Sequence, residues 1–282
     1  MNVIELRNLT HKYSAGTPFE HIAVDNVSVE IEKGEFCGII GHTGSGKSTL
    51  IQHLNGLIKP TSGEVLIDGK NIWSKDVNIK DIRFKVGLVF QYSEHQLFEE
   101  TVYKDIAYGP KNMGLDKDEI DNRVRQAAED MGIKEELLER SPFDLSGGQK
   151  RRVALAGVMA MKPEILILDE PAAGLDPVGR EKVLTKIKDY HEKYGTTILL
   201  VSHSMEDIVK YSKTVLVMNK GKVFCHQDTD KVFSRQEEIL GIGLDVPQIT
   251  KVIIKLRELG IDLGNDIYTI ERAKERILNY LR

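Results

Sequence analysis

Residues 41–49 read Gly41-His42-Thr43-Gly44-Ser45-Gly46-Lys47-Ser48-Thr49. An apolar run, Phe36-Cys37-Gly38-Ile39-Ile40, precedes them and predicts a short buried strand. Leu50, Ile51, Leu54 and Leu57 follow on one helical face, and Gly56 and Pro60 mark where that helix should stop. Strand, glycine-rich loop and helix, in that order, are the setting in which G-x-x-x-x-G-K-[ST] binds phosphate. Glycines let successive backbone N–H groups turn inward with no Cβ in the way. The helix that starts near Lys47 adds partial positive charge at its N-terminus. Lys47 can reach the outer phosphates of a nucleotide, and the Ser48 hydroxyl is a ligand for Mg²⁺. All nine residues are candidate nucleotide-binding residues.

Downstream, Ile165-Leu166-Ile167-Leu168 runs into Asp169-Glu170. Four branched apolar residues predict a fully buried parallel strand. The two carboxylates at its end divide the chemistry: Asp169 shares Mg²⁺ with Ser48, and Glu170 acts as general base toward the attacking water. Pro171 fixes a turn beside the phosphate loop. Two more strands end in candidates. Val86–Phe90 ends at Gln91, which taken alone reads as a solvent-facing loop residue. At the C-terminal edge of an open α/β sheet it becomes a metal or water ligand. Thr197–Val201 ends at Ser202-His203 in the same sheet, so His203 is expected to face the γ-phosphate.

Leu145-Ser146-Gly147-Gly148-Gln149 predicts a second anion site. Ser146 with Gln149 three residues on is a capping box. Two glycines behind the cap are costly in a helix and leave its first N–H groups bare. Asp176-Pro177 opens a further helix, with Asp176 as N-cap.

The N-terminal region alternates as short strands: Val3, Ile4 and Leu6, then Val24, Val27, Val29 and Ile31, then a hairpin over Gly63–Ile67 with Asp68-Gly69. The start is expected to be antiparallel, with the phosphate loop threaded into it. Tyr13 lies in the first loop and by itself is an ordinary half-buried aromatic. From 92 to 145 the composition turns helical and charged. Leu97, Phe98, Val102 and Tyr103 there read as core or as a docking groove.

The chain has 282 residues and a formal charge of −4, from 39 basic and 43 acidic side chains. This near balance predicts no nucleic-acid partner. Cys37 and Cys225 are far apart in strand-like runs and read as buried reduced thiols, as in a reducing cytoplasm. Charges break the first apolar run, so no signal peptide is expected, and no uncharged apolar run approaches the length of a membrane span.

Taken together, residues 1–228 resemble the ATP-binding subunit of an ABC transporter. The Walker A motif is 41–48, the Q-loop glutamine Gln91, the signature 145–149, Walker B 165–170, the D-loop 173–176 with Asp176, and the switch histidine His203. The resemblance implies an α/β fold: a P-loop NTPase (RecA-like) core with an antiparallel β subdomain, a helical signature subdomain at about 92–160, and a C-terminal appendage. It implies that Tyr13 stacks on adenine. It also implies that Ser146, Gly147, Gly148 and Gln149 close over the ATP of a partner subunit. Gln91, with Ser48 and Asp169, would hold Mg²⁺, and the catalytic set would be Lys47, Gln91, Glu170 and His203.

The stretches GHTGSGKSTL, VFQYSEHQLFEETVYKDIAYGP and SPFDLSGGQKRRVALAG are more specifically similar to energy-coupling factor (ECF) transporter ATPases, in particular to the second of their two paralogous subunits. This implies import of a vitamin or transition-metal ion, from the cytoplasmic face of the cell membrane. The partners would be a second ATPase (a paralogue or a second copy), a transmembrane coupling protein and a substrate-binding membrane subunit. The second reading is a soluble ABC ATPase not coupled to transport. A chromosome-maintenance type is disfavoured, because only about a hundred residues, without sustained heptads, separate Walker A from the signature. In 229–282, Ile249, Val252, Ile253 and Leu256 line one helical face and Ile270, Ala273, Ile277 and Leu281 another. The segment is expected to be a dimerisation appendage, or else a tail folded on its own core.

Overall fold

The computed structural model describes residues 1–281. Alternating apolar residues near the N-terminus build the first of two sheets. β1 (Asn2–Tyr13) and β2 (His21–Glu32) pair antiparallel, and after β3 (Phe36–Gly41) and helix α1 (Lys47–Leu54) the chain returns with β4 (Ser62–Ile67) and β5 (Lys70–Asn71). The order in this sheet is β2-β1-β4-β5.

β3 does not belong to it. After α2 (Ile79–Lys85) come β6 (Val86–Val89), helices α3 (Val102–Asn112), α4 (Lys117–Asp130) and α5 (Gly147–Met159), and then β7 (Ile165–Asp169). Next are α6 (Pro177–Tyr194), β8 (Thr197–Val201), α7 (Met205–Tyr211), β9 (Thr214–Asn219) and β10 (Lys222–Asp228). The second sheet runs β10-β9-β3-β8-β7-β6, with β3 seated between β8 and β9. Every pairing in it is parallel except the antiparallel β9–β10 edge. The phosphate loop therefore leaves a parallel strand that lies between its neighbours, and the antiparallel sheet packs beside it. This corrects the expectation that the loop is threaded into the antiparallel part.

The period of two along β3 separates two cores. Cys37 and Ile39 join Leu50, Ile51 and Leu54 of α1 and the N-terminal sheet. Phe36 and Ile40 face the other way, onto Val124, Leu155 and Ile187 of the helices. β7 is buried on both faces along Ile165–Leu168. Each such side chain contributes roughly 1.5–3 kcal/mol by leaving water, which holds the two carboxylates that follow at a fixed edge.

Helix ends follow local chemistry. Asp116 caps α4 by accepting from the Glu119 N–H at 2.9 Å, and α6 stops at Gly195 in the left-handed region. α1 ends at Leu54, so Leu57 lies outside it and is 42% exposed. Cys37 is buried as expected, whereas Cys225 on the edge strand is only half-buried.

The chain after β10 divides in two. α8 (Thr229–Phe233) and α9 (Gln236–Gly241) send Val232, Phe233 and Ile239 into the helical core, joined by Leu244 and Val246. α10 (Gln248–Glu258) and α11 (Ile270–Tyr280) form a separate small cluster around Ile253, Leu263, Ile267 and Ala273. Val252, Ile270 and Leu281, expected on the packed faces of these helices, are exposed. Among the described residues no helix is long and apolar enough to cross a membrane.

Candidate nucleotide site

The loop between β3 and α1 turns on one glycine that cannot be anything else. Gly46 has φ +99°, and a Cβ there would lie 2.3 Å from the Ala23 carbonyl oxygen. L-residues rarely adopt that φ, and the contact is with backbone that cannot yield. The loop is also tied to the rest of the fold. The Gly221 N–H donates to the Ser45 carbonyl at 3.0 Å, and the Asp25 N–H to the Gly221 carbonyl at 2.8 Å. The Lys47 ammonium donates to the carbonyls of Gly41 at 2.6 Å and His42 at 3.2 Å. These bonds draw the lysine back over the loop.

A cleft of about 320 Å³ opens against this loop. Thr43 to Thr49 line it, with Tyr13, Gln91, Asp169, Glu170 and His203. Residues spread over most of the chain thus meet at one place, at the C-terminal ends of β3, β6, β7 and β8, where open α/β sheets bind ligands. Gly41 and His42 stand behind the lining. Gly41 ends the buried strand, and His42 turns its Nε2 to within 3.1 Å of the Asn219 side chain. Tyr13 is 41% exposed at the mouth, its hydroxyl 3.3 Å from Thr49 Oγ1.

The carboxylates are unusual in their setting. Burial pushes Glu170 up to about 7; the neighbouring Asp169 adds to this, while the His203 backbone N–H, Lys47 and Arg180 oppose it. Asp169 is raised by burial and held back by the Lys47 charge. Lys47 itself is lowered by burial, against the pull of Glu170 and Asp169. His203 lies below its ordinary value through burial and the Lys47 charge. It is therefore neutral at pH 7, and the 3.8 Å between its Nε2 and Glu170 Oε1 is a polar contact rather than an ion pair. Oε1 of Glu170 is buried without a hydrogen-bond partner, as is Ser45 Oγ. A carboxyl that binds a proton near neutrality and has a free buried oxygen is suited to take a proton from a water in the cleft. The Glu170 backbone has φ +51°, a strained conformation for a residue with a side chain.

Ser48, Gln91 and Asp169 offer a hydroxyl, an amide oxygen and a carboxylate on the same cleft. An all-oxygen set with one carboxylate matches Mg²⁺ chemistry.

Ser146, Gly147, Gly148 and Gln149 do not line this cleft. The capping box at Ser146 is present: its hydroxyl accepts from the Gln149 N–H at 3.4 Å, and the Gln149 side chain accepts from the Ser146 N–H at 2.9 Å. Ser146 and Gly147 are exposed at the start of α5, and the capping box occupies the N–H groups of Ser146 and Gln149. Asp176 is likewise exposed and caps α6 through the Gly179 N–H at 2.9 Å.

Sequence reading missed His21, Ala23 and Val201, which also line the cleft. Val201 was legible as the last residue before Ser202-His203. His21 and Ala23 were not, because only the folding of β2 beside the loop brings them there. A second concavity of about 290 Å³ is lined by Phe84, Leu97, Phe98, Tyr108, Val158 and Met161, among others. Phe98, one of the residues read as core or groove, is 58% exposed at its rim and meets Tyr108 edge to face at 5.0 Å.

Residues 24–173 match the ABC transporter family. The chain is 55% identical over 280 residues to the energy-coupling factor transporter ATP-binding protein EcfA2 of Clostridium perfringens, covering 99% of this chain and 98% of that one. It is also 55% identical to the protein of the same name from Clostridioides difficile, covering 100% and 98%. Among solved structures it resembles CbiO1 of Clostridium perfringens, described as part of the ABC transporter complex CbiONQ. The TM-score is 0.76 at 38% identity, over 90% of this chain and 99% of that one. The ATP-binding cassette MJ0796, solved as a dimer in a post-hydrolysis state with ADP and Pi, gives a TM-score of 0.71 at 30% identity, over 80% and 98%.

Proposed function

The chain belongs to the ATP-binding proteins of energy-coupling factor transporters, within the ABC transporter family, and on that premise we propose how its cleft, its signature helix and its appendage divide the work of ATP-driven transport. ATP hydrolysis is the function of this family. The observation that carries the assignment is a separation. One cleft gathers the phosphate loop with Gln91, Asp169, Glu170 and His203, while Ser146–Gln149 lie outside it, Ser146 and Gly147 exposed and Gly148 and Gln149 half-buried. Such a chain holds two halves of a site that meet only when a second ATPase subunit faces it.

In this reading the loop amides of 43–49 and Lys47 bind the phosphates, and Tyr13 stacks on the base. Ser48, Gln91 and Asp169 hold Mg²⁺, which neutralises charge on the phosphates when bound. Glu170 accepts the proton of the attacking water, and the neutral His203 donates a hydrogen bond to the γ-phosphate. The partner's signature closes over the nucleotide, and Asp176 lies at the same junction. The second subunit is a paralogue of this chain or a second copy of it. The groove at Leu97 and Phe98 receives the transmembrane coupling protein, and a separate membrane subunit selects the cargo, a vitamin or a transition-metal ion. The protein acts as a peripheral subunit at the cytoplasmic face of the membrane.

The ATPase domain takes in residues 1–228, with the helical subdomain at about 92–160, and extends past the expected boundary because α8, α9, Leu244 and Val246 pack into its core. The appendage within 229–282 joins the two ATPases. The exposed apolar residues Val252, Ile270 and Leu281 support an association role for α10 and α11.

The test is capture of partners. Glu170→Gln, tagged and isolated from native membranes with ATP and Mg²⁺, is expected to bring a related ATPase and small integral membrane proteins. Recovery with soluble proteins alone would return the chain to a soluble ABC ATPase.

A further inference from the structure

Arg151 is fully buried, 1% exposed, on α5 two residues beyond Gln149. A buried cation costs several kcal/mol unless its surroundings answer it, and here one carboxylate and three backbone carbonyls face it. Nη2 donates to Glu94 Oε1 at 2.8 Å, and Nε lies 2.6 Å from Glu94 Oε2 in ionic contact. Nη1 donates to the carbonyls of Pro171 at 2.9 Å and Glu170 at 3.3 Å, and Nη2 to that of Ala173 at 3.1 Å. One side chain therefore grips two segments. The first is the single turn of 3₁₀ helix at Ser93–Gln96, just after Gln91 and directly before the groove residues Leu97 and Phe98. The second is the turn in which Glu170 has φ +51°. A strained residue persists only where its surroundings over-determine it, and the guanidinium supplies three of those constraints.

We infer that Arg151 is a positioning residue that, through Glu94, ties the placement of the Glu170 turn to the segment bordering the groove at Leu97 and Phe98. This rests on the reading of Glu170 as the group that activates water. A shift of the 93–98 segment moves the Glu94 carboxylate, the guanidinium follows, and the carbonyls at 170, 171 and 173 follow it. The nucleotide is not needed for this connection. A lysine cannot replace it, because one ammonium on a flexible stem has neither the planar fork nor enough donors for four acceptors.

The test uses the full chain together with its second ATPase subunit, ATP and Mg²⁺, measuring turnover per nucleotide-binding site, KM and thermal midpoint. Arg151→Lys and Glu94→Gln are each expected to lower kcat about tenfold or more while KM stays within about twofold, the signature of lost transition-state rather than ground-state interactions. The double variant Arg151→Met with Glu94→Gln leaves no buried charge unpaired and is expected to fold at least as well as the single variants. It should turn over no more slowly than either, because both singles break one connection. Near-normal kcat in both single variants, or losses that multiply in the double, would overturn the inference. Glu170→Gln run alongside separates the two readings: if it turns over normally, the role of Glu170 fails first. If it is inactive while the Arg151 and Glu94 variants are normal, only the connection fails.

Discussion

Nε2 of His203 lies 3.8 Å from Oε1 of Glu170, the carboxylate oxygen that is buried without a hydrogen-bond partner. The two residues close adjacent strands of the parallel sheet, β8 and β7, so their separation is set by the backbone rather than by flexible loops. Losing either side chain should leave ATP binding intact, since neither belongs to the loop. Glu170→Gln and His203→Ala are each expected to lower kcat by about a hundredfold or more with little change in KM. Equal losses in kcat and in ATP affinity would instead place these residues in binding.

Gly46 is the tightest point of the loop. Gly46→Ala puts a methyl against the Ala23 carbonyl at a φ of +99°. The expected result is a loss of more than about 1 kcal/mol of stability, together with loss of ATP binding. Gly44 also has positive φ, but a methyl there would meet only open space, so Gly44→Ala should be milder. Nucleotide titration of both variants checks the order.

Phe98 at the rim of the groove is expected to matter for assembly rather than folding. Phe98→Asp should leave stability within about 0.5 kcal/mol, as exposed substitutions usually do, and leave ATP turnover of the paired ATPase subunits intact. Capture of membrane partners should fail. Undiminished capture would move the docking surface elsewhere.

The packing of α8 and α9 sets where the chain can be cut. Truncation after Val246 removes α10, α11 and their small cluster, and from the main core only Tyr268, which packs on Phe233. It should leave a folded ATPase whose pairing with a second subunit is weakened. Truncation after Asp228 also removes Val232, Phe233 and Ile239 from the main core. Losing a buried phenylalanine alone costs about 3–5 kcal/mol, so that product should be largely insoluble. Unchanged association of the longer truncate, by mass in solution, would refute the appendage's role.

His53 on α1 provides a pH test. It is buried, its Nδ1 bonds the Thr49 carbonyl at 2.7 Å, and burial, with a smaller push from His11, lowers it from 6.5 to about 4. Below pH 6.5 the unfolded chain takes up a proton that the folded chain refuses. Stability should therefore fall as the pH drops from about 6.5 toward 4, by up to about 3 kcal/mol from this residue. Urea midpoints at pH 7 and 5 should differ less in His53→Gln than in the parent. Parallel slopes would exclude the effect.

Much of this was legible because it is local. The phosphate loop, the capping box at Ser146 and the cap at Asp176 each lie within a few residues, and each forms as the residue types require. The parallel strand ending in Asp169-Glu170 was legible from four branched residues followed by charge. What was not legible depends on distant chain. Arg151 reads as one of several basic residues on a helix until folding brings Glu94, 57 positions away in sequence, to its guanidinium. His21 and Ala23 reach the cleft only through the packing of one sheet beside the other.

β3 has as its sheet neighbours only β8 and β9. Phe36 pairs with Ile198, and Cys37 with Thr214. During synthesis, the strand that carries the nucleotide loop leaves the ribosome about 160 residues before either neighbour exists. Until then it is an apolar strand without its sheet neighbours, and the N-terminal antiparallel sheet can pair only within itself. The nucleotide loop is made early and supported late. ATP can therefore act as a folding ligand only after most of the chain is complete, and the nascent protein depends for that interval on whatever shields apolar strands in the cell.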